Sequence, residues 1–365
     1  MASAGRSAPE DLSDRVKALA LAVGFDVAGV APALPTRETE FLREWLARGY
    51  AGEMHYIEQR LEERVDPRKV LEGARSVIAV GVVYDPGDRP SRHPSRAEVA
   101  RYAGGDDYHD VLIERIRALE TGLEALAGRP LRTRGYVDTG PVQERVFAAL
   151  AGLGWIGKNT CLIDRSLGSY LFLGVVLTDL ELAFDEREPD HCGTCRACID
   201  ACPTDALVDA YVLDATKCIS YTTIESRGPI PEALREAHGS LAFGCDICQE
   251  VCPWNERQRR VVPDDLHGLR ARIAPRSEWV GTSLAWILSL TEDAWREATR
   301  KTALRRAKHR GLLRNALVAS GNSGDRSLLP LLATHAESDD PLIAEHARWA
   351  IGQLEIRAAG LVDRP

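Results

Sequence analysis

Eight of the nine cysteines fall between Cys192 and Cys252. The first run reads Cys192-x-x-Cys195-x-x-Cys198-x-x-x-Cys202-Pro203. Three thiolates at this spacing can wrap three corners of one iron–sulfur cubane; the chain then leaves, and the fourth cysteine serves a second cluster. The second run, Cys245-x-x-Cys248-x-x-x-Cys252-Pro253, lacks one N-terminal cysteine, which Cys218 upstream can supply. Cross-ligation assigns Cys192, Cys195, Cys198 and Cys252 to one 4Fe–4S cluster. Cys202, Cys218, Cys245 and Cys248 go to the other, with none left over. Zinc ribbons also use paired CxxC motifs, but zinc needs only two such knuckles per site. It has no use for a third cysteine at the next spacing, nor for Cys-Pro closing both runs. A disulfide framework is disfavoured by the reducing compartment expected below. Cys161 stands alone and reads as a small buried hydrophobe.

Three other stretches suggest chemistry and fail on context. Gly152-Leu153-Gly154-Trp155-Ile156-Gly157 matches GxGxxG, and Gly152 to Lys158 nearly matches a P-loop. Both motifs should follow a strand, whereas Glu144–Ala151 reads as a helix, and Asn159 replaces the Ser or Thr that a P-loop needs. Asp138-Thr139-Gly140 copies the aspartic-protease triplet, but that chemistry needs two carboxylates sharing a proton, and no second triplet occurs. Asp107-Tyr108-His109 begins like the DxHxxG cobalamin motif, but Leu112 occupies the glycine position. His109 is therefore not expected to ligate cobalt in that manner.

The elements that must position these groups fall into three segments. Residues 11–180 alternate helical and strand-like patterns and predict an α/β domain. Helices are expected at Asp11–Val23, Glu38–Arg48, Tyr108–Ala127 and Val142–Leu153, and strands at Phe25–Val30, Ser76–Tyr84, Arg132–Val137 and Tyr170–Thr178. Residues 181–260 hold the cysteines, with weak periodicity, and would rely on metal for stability. Residues 261–365 read as all-helical. Leu313–Ser320 is echoed by Ala347–Leu354, with Arg314 and Arg348 34 residues apart, which has the look of a HEAT-like two-helix repeat. A plain helical bundle is the alternative.

The chain has 365 residues and a net charge of -8, so it is not basic overall. No apolar run approaches the roughly 18–20 residues that span a bilayer. The start has no apolar export region or twin arginine and reads as a short Ala/Ser-rich disordered stretch, making the cytoplasm the default compartment.

Several strings beyond the cysteines are similar to one family. They include Arg101-Tyr102-Ala103, Asp107-Tyr108-His109 and Val137-Asp138-Thr139-Gly140-Pro141-Val142-Gln143-Glu144-Arg145. Further along come Gly157-Lys158-Asn159-Thr160, Leu167-Gly168-Ser169 and Cys218-Ile219-Ser220-Tyr221-Thr222-Thr223-Ile224-Glu225. Gly228-Pro229-Ile230-Pro231 and Cys252-Pro253-Trp254-Asn255 complete the set, in family order. Over nearly its whole length the chain resembles the epoxyqueuosine reductases, a tRNA-modifying family. Cys161 departs from the pattern, standing where an aliphatic residue is usual.

The resemblance implies an α/β cobalamin-binding domain (1–180), a ferredoxin-like insert with two 4Fe–4S clusters (181–260) and a C-terminal HEAT-like tRNA-binding domain (261–365). It implies reduction of epoxyqueuosine to queuosine at the tRNA wobble position, by a monomer fed from a reductase, flavodoxin or ferredoxin. Asp138, between a strand and a helix, reads by position alone as a helix cap; the resemblance makes it the proton donor, with a pKa raised toward neutrality. Arg101, Tyr108, His109, Asp138, Lys158, Asn159, Thr160, Ser220 and Tyr221 become the expected cobalamin pocket or its link to the nearer cluster. Arg296–Arg314 holds eight Lys/Arg against Glu297 alone, a face suited to phosphates. Arg300, Lys301, Arg305, Arg306, Lys308 and Arg310 are the expected tRNA contacts. A corrinoid reductive dehalogenase and a plain electron carrier are the competing readings. The first usually carries an export signal, absent here, and the second leaves Asp138 and the N-terminal segment without purpose.

Overall fold

The computed structural model describes residues 9–84, 93–256 and 260–358. The Ala/Ser-rich start at 1–8 lies outside the described residues. Along the first segment run α1 (Pro9–Ala22), β1 (Val27–Pro32), β2 (Ser76–Val83), β3 (Arg96–Val99), α2 (Tyr108–Ala127), β4 (Thr133–Tyr136), α3 (Glu144–Leu150) and β5 (Leu171–Thr178). The main sheet has the order β1-β2-β5-β4, and every neighbouring pair is antiparallel. The expected mixture of helix and strand is present, but the sheet is not the parallel one that alternating elements usually build.

β2 explains why this sheet is covered on both faces. Its sequence SVIAVGVV is buried throughout, and side chains alternate across a strand. Ile78, Val80 and Val82 enter one core with Val16 of α1 and Leu112, Ile116 and Leu119 of α2. Val77 and Ala79 enter a second core with Phe147, Ala148 and Ala149 of α3. The result is a helix–sheet–helix sandwich.

Gly135 sets the approach of β4 to α2. A Cβ there would lie 2.1 Å from the Ile116 side chain, so only glycine lets the strand sit this close. β4 thereby delivers the loop after it to the N-terminal end of α2.

The cysteine segment contains short elements, among them α4 (Ile219–Ile224) and β6 (Leu241–Phe243). In the last segment a short helix at Leu269–Ile273 precedes β7 (Thr282–Ser283), and α5 (Lys308–Ser323), α6 (Leu329–Ala336) and α7 (Pro341–Ala358) follow. The two echoed strings fall in α5 and α7, which pack on each other, with α6 against α7. The three segments meet in one small sheet. β3 pairs with β6 in parallel and with β7 antiparallel. Ala97, Val99 and Phe243 share a core with Trp279, Leu312, Leu317 and Ala347. Among the described residues no helix is long and apolar enough to cross a membrane.

Candidate active site and metal centres

The cysteines form two groups. Cys192, Cys195, Cys198 and Cys252 line a cavity of about 210 Å³ together with Pro253 and Trp254. Short helices at Ala197–Asp200 and Ile247–Glu250 fold the intervening chain so that thiols distant in sequence converge. Lys158 Nζ donates to the carbonyls of Gly193 (2.6 Å) and Cys195 (2.9 Å), and the Cys192 N–H donates to Asp190 (2.7 Å). Trp155 packs edge-on against His191 at 4.9 Å and Trp254 at 5.1 Å, making an aromatic wall. Cys195 is exposed, so this group faces solvent.

The other group is deeper. Burial, aided by Cys218, Asp246 and Cys202, pushes the Cys245 thiol up to about 12. Burial likewise raises Cys218, while the N–H groups of Tyr221 and Ser220 and the Ser220 hydroxyl turn toward its sulfur. Cys161 neither stands apart nor packs only as a hydrophobe. Its thiol reaches Cys248, and its N–H donates to Asn159 Oδ1 (3.2 Å), whose Nδ2 donates to the Cys248 carbonyl (3.2 Å). All nine cysteines are free of disulfides.

Asp138 lies in the loop after β4 with a left-handed backbone, φ 52°, which is uncommon outside glycine and marks a constrained residue. It does not cap a helix: α3 starts at Glu144, behind Gln143. Tyr108 Oη donates to Asp138 Oδ2 at 2.6 Å, and His109 Nε2 stands 3.8 Å from the same oxygen. His109 Nδ1 donates to Asp107 Oδ1 at 2.6 Å, and Asp107 also caps α2 through the His109 N–H. The Tyr108 ring stacks between His109 (4.0 Å) and Phe172 (4.3 Å). Helix cap, strand packing and stacking thus hold one imidazole and one phenol against one carboxylate. Both imidazole nitrogens face carboxylates, so neither is turned toward a metal.

The charges follow from these contacts. Burial opposes a charge on His109, but the hydrogen bond to Asp107 and the facing carboxylate of Asp138 outweigh it and push the imidazole up to about 9. Burial would raise Asp138, but donors His109 and Tyr108 hold it below the usual carboxylate range. The resting site is therefore an imidazolium–carboxylate pair, and the raised pKa expected for Asp138 is not found. The Asp138 side chain is 67 % exposed, yet protein crowds it enough that burial is the largest influence on its titration. Such a group sits in the wall of an open hollow.

Around the hollow stand residues that the sequence did not assign to it. Glu144 is pushed up to about 8, first by burial and then by the charge of Asp138. Arg64 reaches the same region from the helix Leu61–Val65, and Arg306 stacks over Tyr56 at 5.7 Å while pairing with Glu225 at 2.7 Å. Glu144 and Glu225 lay inside the quoted strings, but nothing local distinguishes a buried glutamate from an exposed one. Tyr56 and Arg64 carried no local signal.

Two family models match this chain: "4Fe-4S double cluster binding domain" over residues 191–255 and "Epoxyqueuosine reductase QueG, DUF1730" over residues 64–139. An epoxyqueuosine reductase of Xanthomonas campestris is 38% identical over 354 residues, covering 95% of this chain and 98% of that protein. One of Gloeobacter violaceus is 43% identical over 314 residues, covering 85% and 96%. A crystal structure of epoxyqueuosine reductase with an epoxyqueuosine-modified tRNA stem loop matches with TM-score 0.85 and 31% identity, covering 97% of this chain and 95% of that one.

The chain belongs to the epoxyqueuosine reductase family.

Of the residues expected at an epoxyqueuosine reductase pocket, Tyr108, His109 and Asp138 come together. Arg101 lies against the chain that carries the inner cysteines: its N–H donates to Asp246 at 2.8 Å, and its guanidinium lies over Tyr170 at 5.1 Å and 3.7 Å from Glu250. The Thr160 carbonyl accepts from Arg145 at 3.0 Å. Ser220 borders Cys218, and the Tyr221 hydroxyl accepts from the Glu53 N–H at 2.7 Å. Lys158 and Asn159 do not join this group: their polar ends hold the Gly193–Cys195 loop and the Cys248 loop. The six expected tRNA contacts are all exposed. Arg300, Arg306 and Arg310 pair with Glu297, Glu225 and Asp340, and Arg305 lies over Trp295. Lys301 and Lys308 occupy left-handed positions.

Proposed function

We propose that this chain reduces epoxyqueuosine to queuosine at the wobble position of tRNA, using cobalamin fed by two 4Fe–4S clusters. The observation that carries the reading is the Asp107–His109–Asp138–Tyr108 constellation beside a buried cysteine group. In the proposed division, residues 1–180 hold the cobalamin, 181–260 the clusters and 261–365 the helical surface for tRNA. The protein would act as a cytoplasmic monomer.

The donor sets suit the groups they would hold. Four thiols per group match the four irons of a cubane, with Cys192, Cys195, Cys198 and Cys252 as the outer set and Cys202, Cys218, Cys245 and Cys248 as the inner. Exposed Cys195 makes the outer cluster the entry for a flavodoxin, ferredoxin or reductase. An open hollow with a carboxylate in its wall and aromatic rings behind it suits a large, partly polar ring system. Arg101, Tyr108, His109, Thr160, Ser220 and Tyr221 are the residues proposed to border cobalamin. Bound there, cobalamin supplies a two-electron nucleophile from electrons that clusters carry singly.

The chain's own residues manage the protons. The epoxide oxygen must be protonated as it leaves, and Asp138 is the proposed donor. Asp138 is ionised at rest, so its proton must come from a neighbour. His109 holds one at neutral pH, and Asp107 keeps the ring turned so that Nε2 faces Asp138. Tyr108 fixes the carboxylate through a 2.6 Å bond.

Anaerobic metal analysis tests the cofactor set, with about eight irons per chain expected and near-stoichiometric cobalt once cobalamin is supplied. Protein that is colourless and binds only zinc would overturn it. Asp138→Ala should keep both metals and lose about 100-fold or more in turnover of epoxyqueuosine tRNA; full activity removes Asp138 from the mechanism.

A further inference from the structure

The stretch that mimics a nucleotide motif, Gly152 to Lys158, has another use in the fold. Trp155 and Ile156 pair with Ile163 and Leu162 in a two-stranded hairpin. Gly154, at φ 143°, lets the chain enter it: a Cβ there would stand 2.1 Å from the Ile163 carbonyl oxygen. The hairpin tip reaches both cysteine groups, since Lys158 holds the Gly193–Cys195 loop and Asn159 the Cys248 loop. The polar ends at the tip are therefore occupied. The polar atom at the base of the hairpin, on Trp155, is not.

Trp155 is 2% exposed, and its Nε1 is buried with no hydrogen-bond partner among the described residues. An indole N–H can only donate. When buried it usually finds an acceptor, because an unsatisfied donor costs free energy. The ring packs with Ile163 and Cys252, and Cys192 and Trp254 close on the same apolar group. His191 at 4.9 Å and Trp254 at 5.1 Å stand edge-on to it and fix its orientation. The indole N–H and the Lys158 backbone N–H both turn toward the Cys192 sulfur. A neutral thiol is a weak acceptor, and a charged thiolate is a much better one. The donor is thus matched when Cys192 serves as a cluster ligand.

We propose that Trp155 donates its Nε1–H to the Cys192 thiolate of the outer 4Fe–4S cluster and so raises that cluster's reduction potential, easing the entry of each electron. The inference rests on the two-cluster reading. Trp155 touches no substrate; it is a positioning residue that acts through Cys192. Reduction adds one electron from the external protein donor and no proton, so negative charge on the cubane and its thiolates grows. A fixed donor favours the more negative state, and hydrogen bonds to the sulfurs are among the features that set such potentials. The bond would lie within an aromatic wall, where a low local dielectric strengthens it. The exposure of Cys195 at the same group gives the external donor its access.

The test is a redox titration of the anaerobic holoprotein followed by low-temperature electron paramagnetic resonance. The signal missing from Cys198→Ser marks the outer cluster. Trp155→Phe keeps an aromatic ring in the wall and removes only the N–H. It should hold about eight irons per chain and lower the outer midpoint, so that the reduced-to-oxidised ratio at a fixed potential drops about tenfold, about 59 mV for a one-electron couple. The inner midpoint should stay in place. An unchanged outer midpoint, or an equal fall in both clusters, overturns the proposal. A second measurement does not depend on that variant. In holoprotein carrying indole-15N tryptophan, the reduced outer cluster should show a nitrogen coupling that persists in Trp254→Phe; absence of the coupling, or its loss in Trp254→Phe, overturns the proposal. Wild-type protein without two cubane signals removes the two-cluster reading and this role together. Two cubanes with no effect of Trp155 remove this role alone.

Discussion

His109 shares its two ring nitrogens between Asp107 and Asp138, and its protonation links stability to pH. Its folded value is raised to about 9, against about 6.5 for an unperturbed histidine. A raised value means the folded state holds the proton more tightly than the unfolded chain. The stabilisation is complete below about pH 6.5 and is lost as pH rises through about 9. The wild-type melting temperature should therefore fall across that range, and His109→Asn should flatten the fall; parallel curves would contradict the pairing. Asp138 was legible in the sequence as a carboxylate between strand and helix. Its ionised state was not, because the donors Tyr108 and His109 reach it only through the packing of β4 on α2 that Gly135 permits. The same holds for Glu144, whose raised pKa depends on burial and on the charge of Asp138 from the β4 loop.

At the level of elements, Arg314 of α5 ties the helical segment to the cysteine segment. It is 1% exposed and donates to the carbonyls of Thr222, Ser226 and Gly228. Those carbonyls flank or end α4, the helix that begins after Cys218. Arg314→Leu should cost about 3 kcal/mol or more in stability by leaving buried carbonyls unpaired, and it should loosen iron from the inner group before the outer. A thermal melt with iron release read in parallel checks this, and unchanged melting refutes it. The echo of Leu313–Ser320 in Ala347–Leu354 was visible in sequence because helical period leaves a mark. The neutralisation of Arg306 by Glu225 and Arg310 by Asp340 left none, since those carboxylates come from other elements. The basic stretch is thus less charged than it reads. Ala substitution of Lys301, Arg305 and Lys308 should weaken tRNA binding and reduce the salt slope by about 0.7–0.9 per lost phosphate contact. An equal effect from Arg306 and Arg310 would argue that tRNA displaces their partners.

For the molecule as a whole, the two cysteine groups are ordered from solvent inward, which predicts distinct consequences for their loss. Cys198→Ser should leave about four irons per chain and block reduction by an external protein donor. Cys248→Ser should also leave about four, yet keep the outer cluster reducible. Iron analysis with low-temperature electron paramagnetic resonance separates the two, and identical behaviour would contradict the order. The long strands of the main sheet were readable from β-branched runs. Their antiparallel order was not, because connection geometry leaves no trace in composition. β3, β6 and β7 were missed outright: strands of two to four residues are too short to show a period.

That small sheet has a practical corollary. β3 takes one edge partner from the cysteine region and the other from the start of the helical region, so cutting the chain after residue 260 would unzip a ladder and bare Val99 and Phe243 to water. The helical part is not a detachable handle for tRNA, and a version shortened there should emerge as insoluble aggregate instead of a trimmed, iron-loaded enzyme.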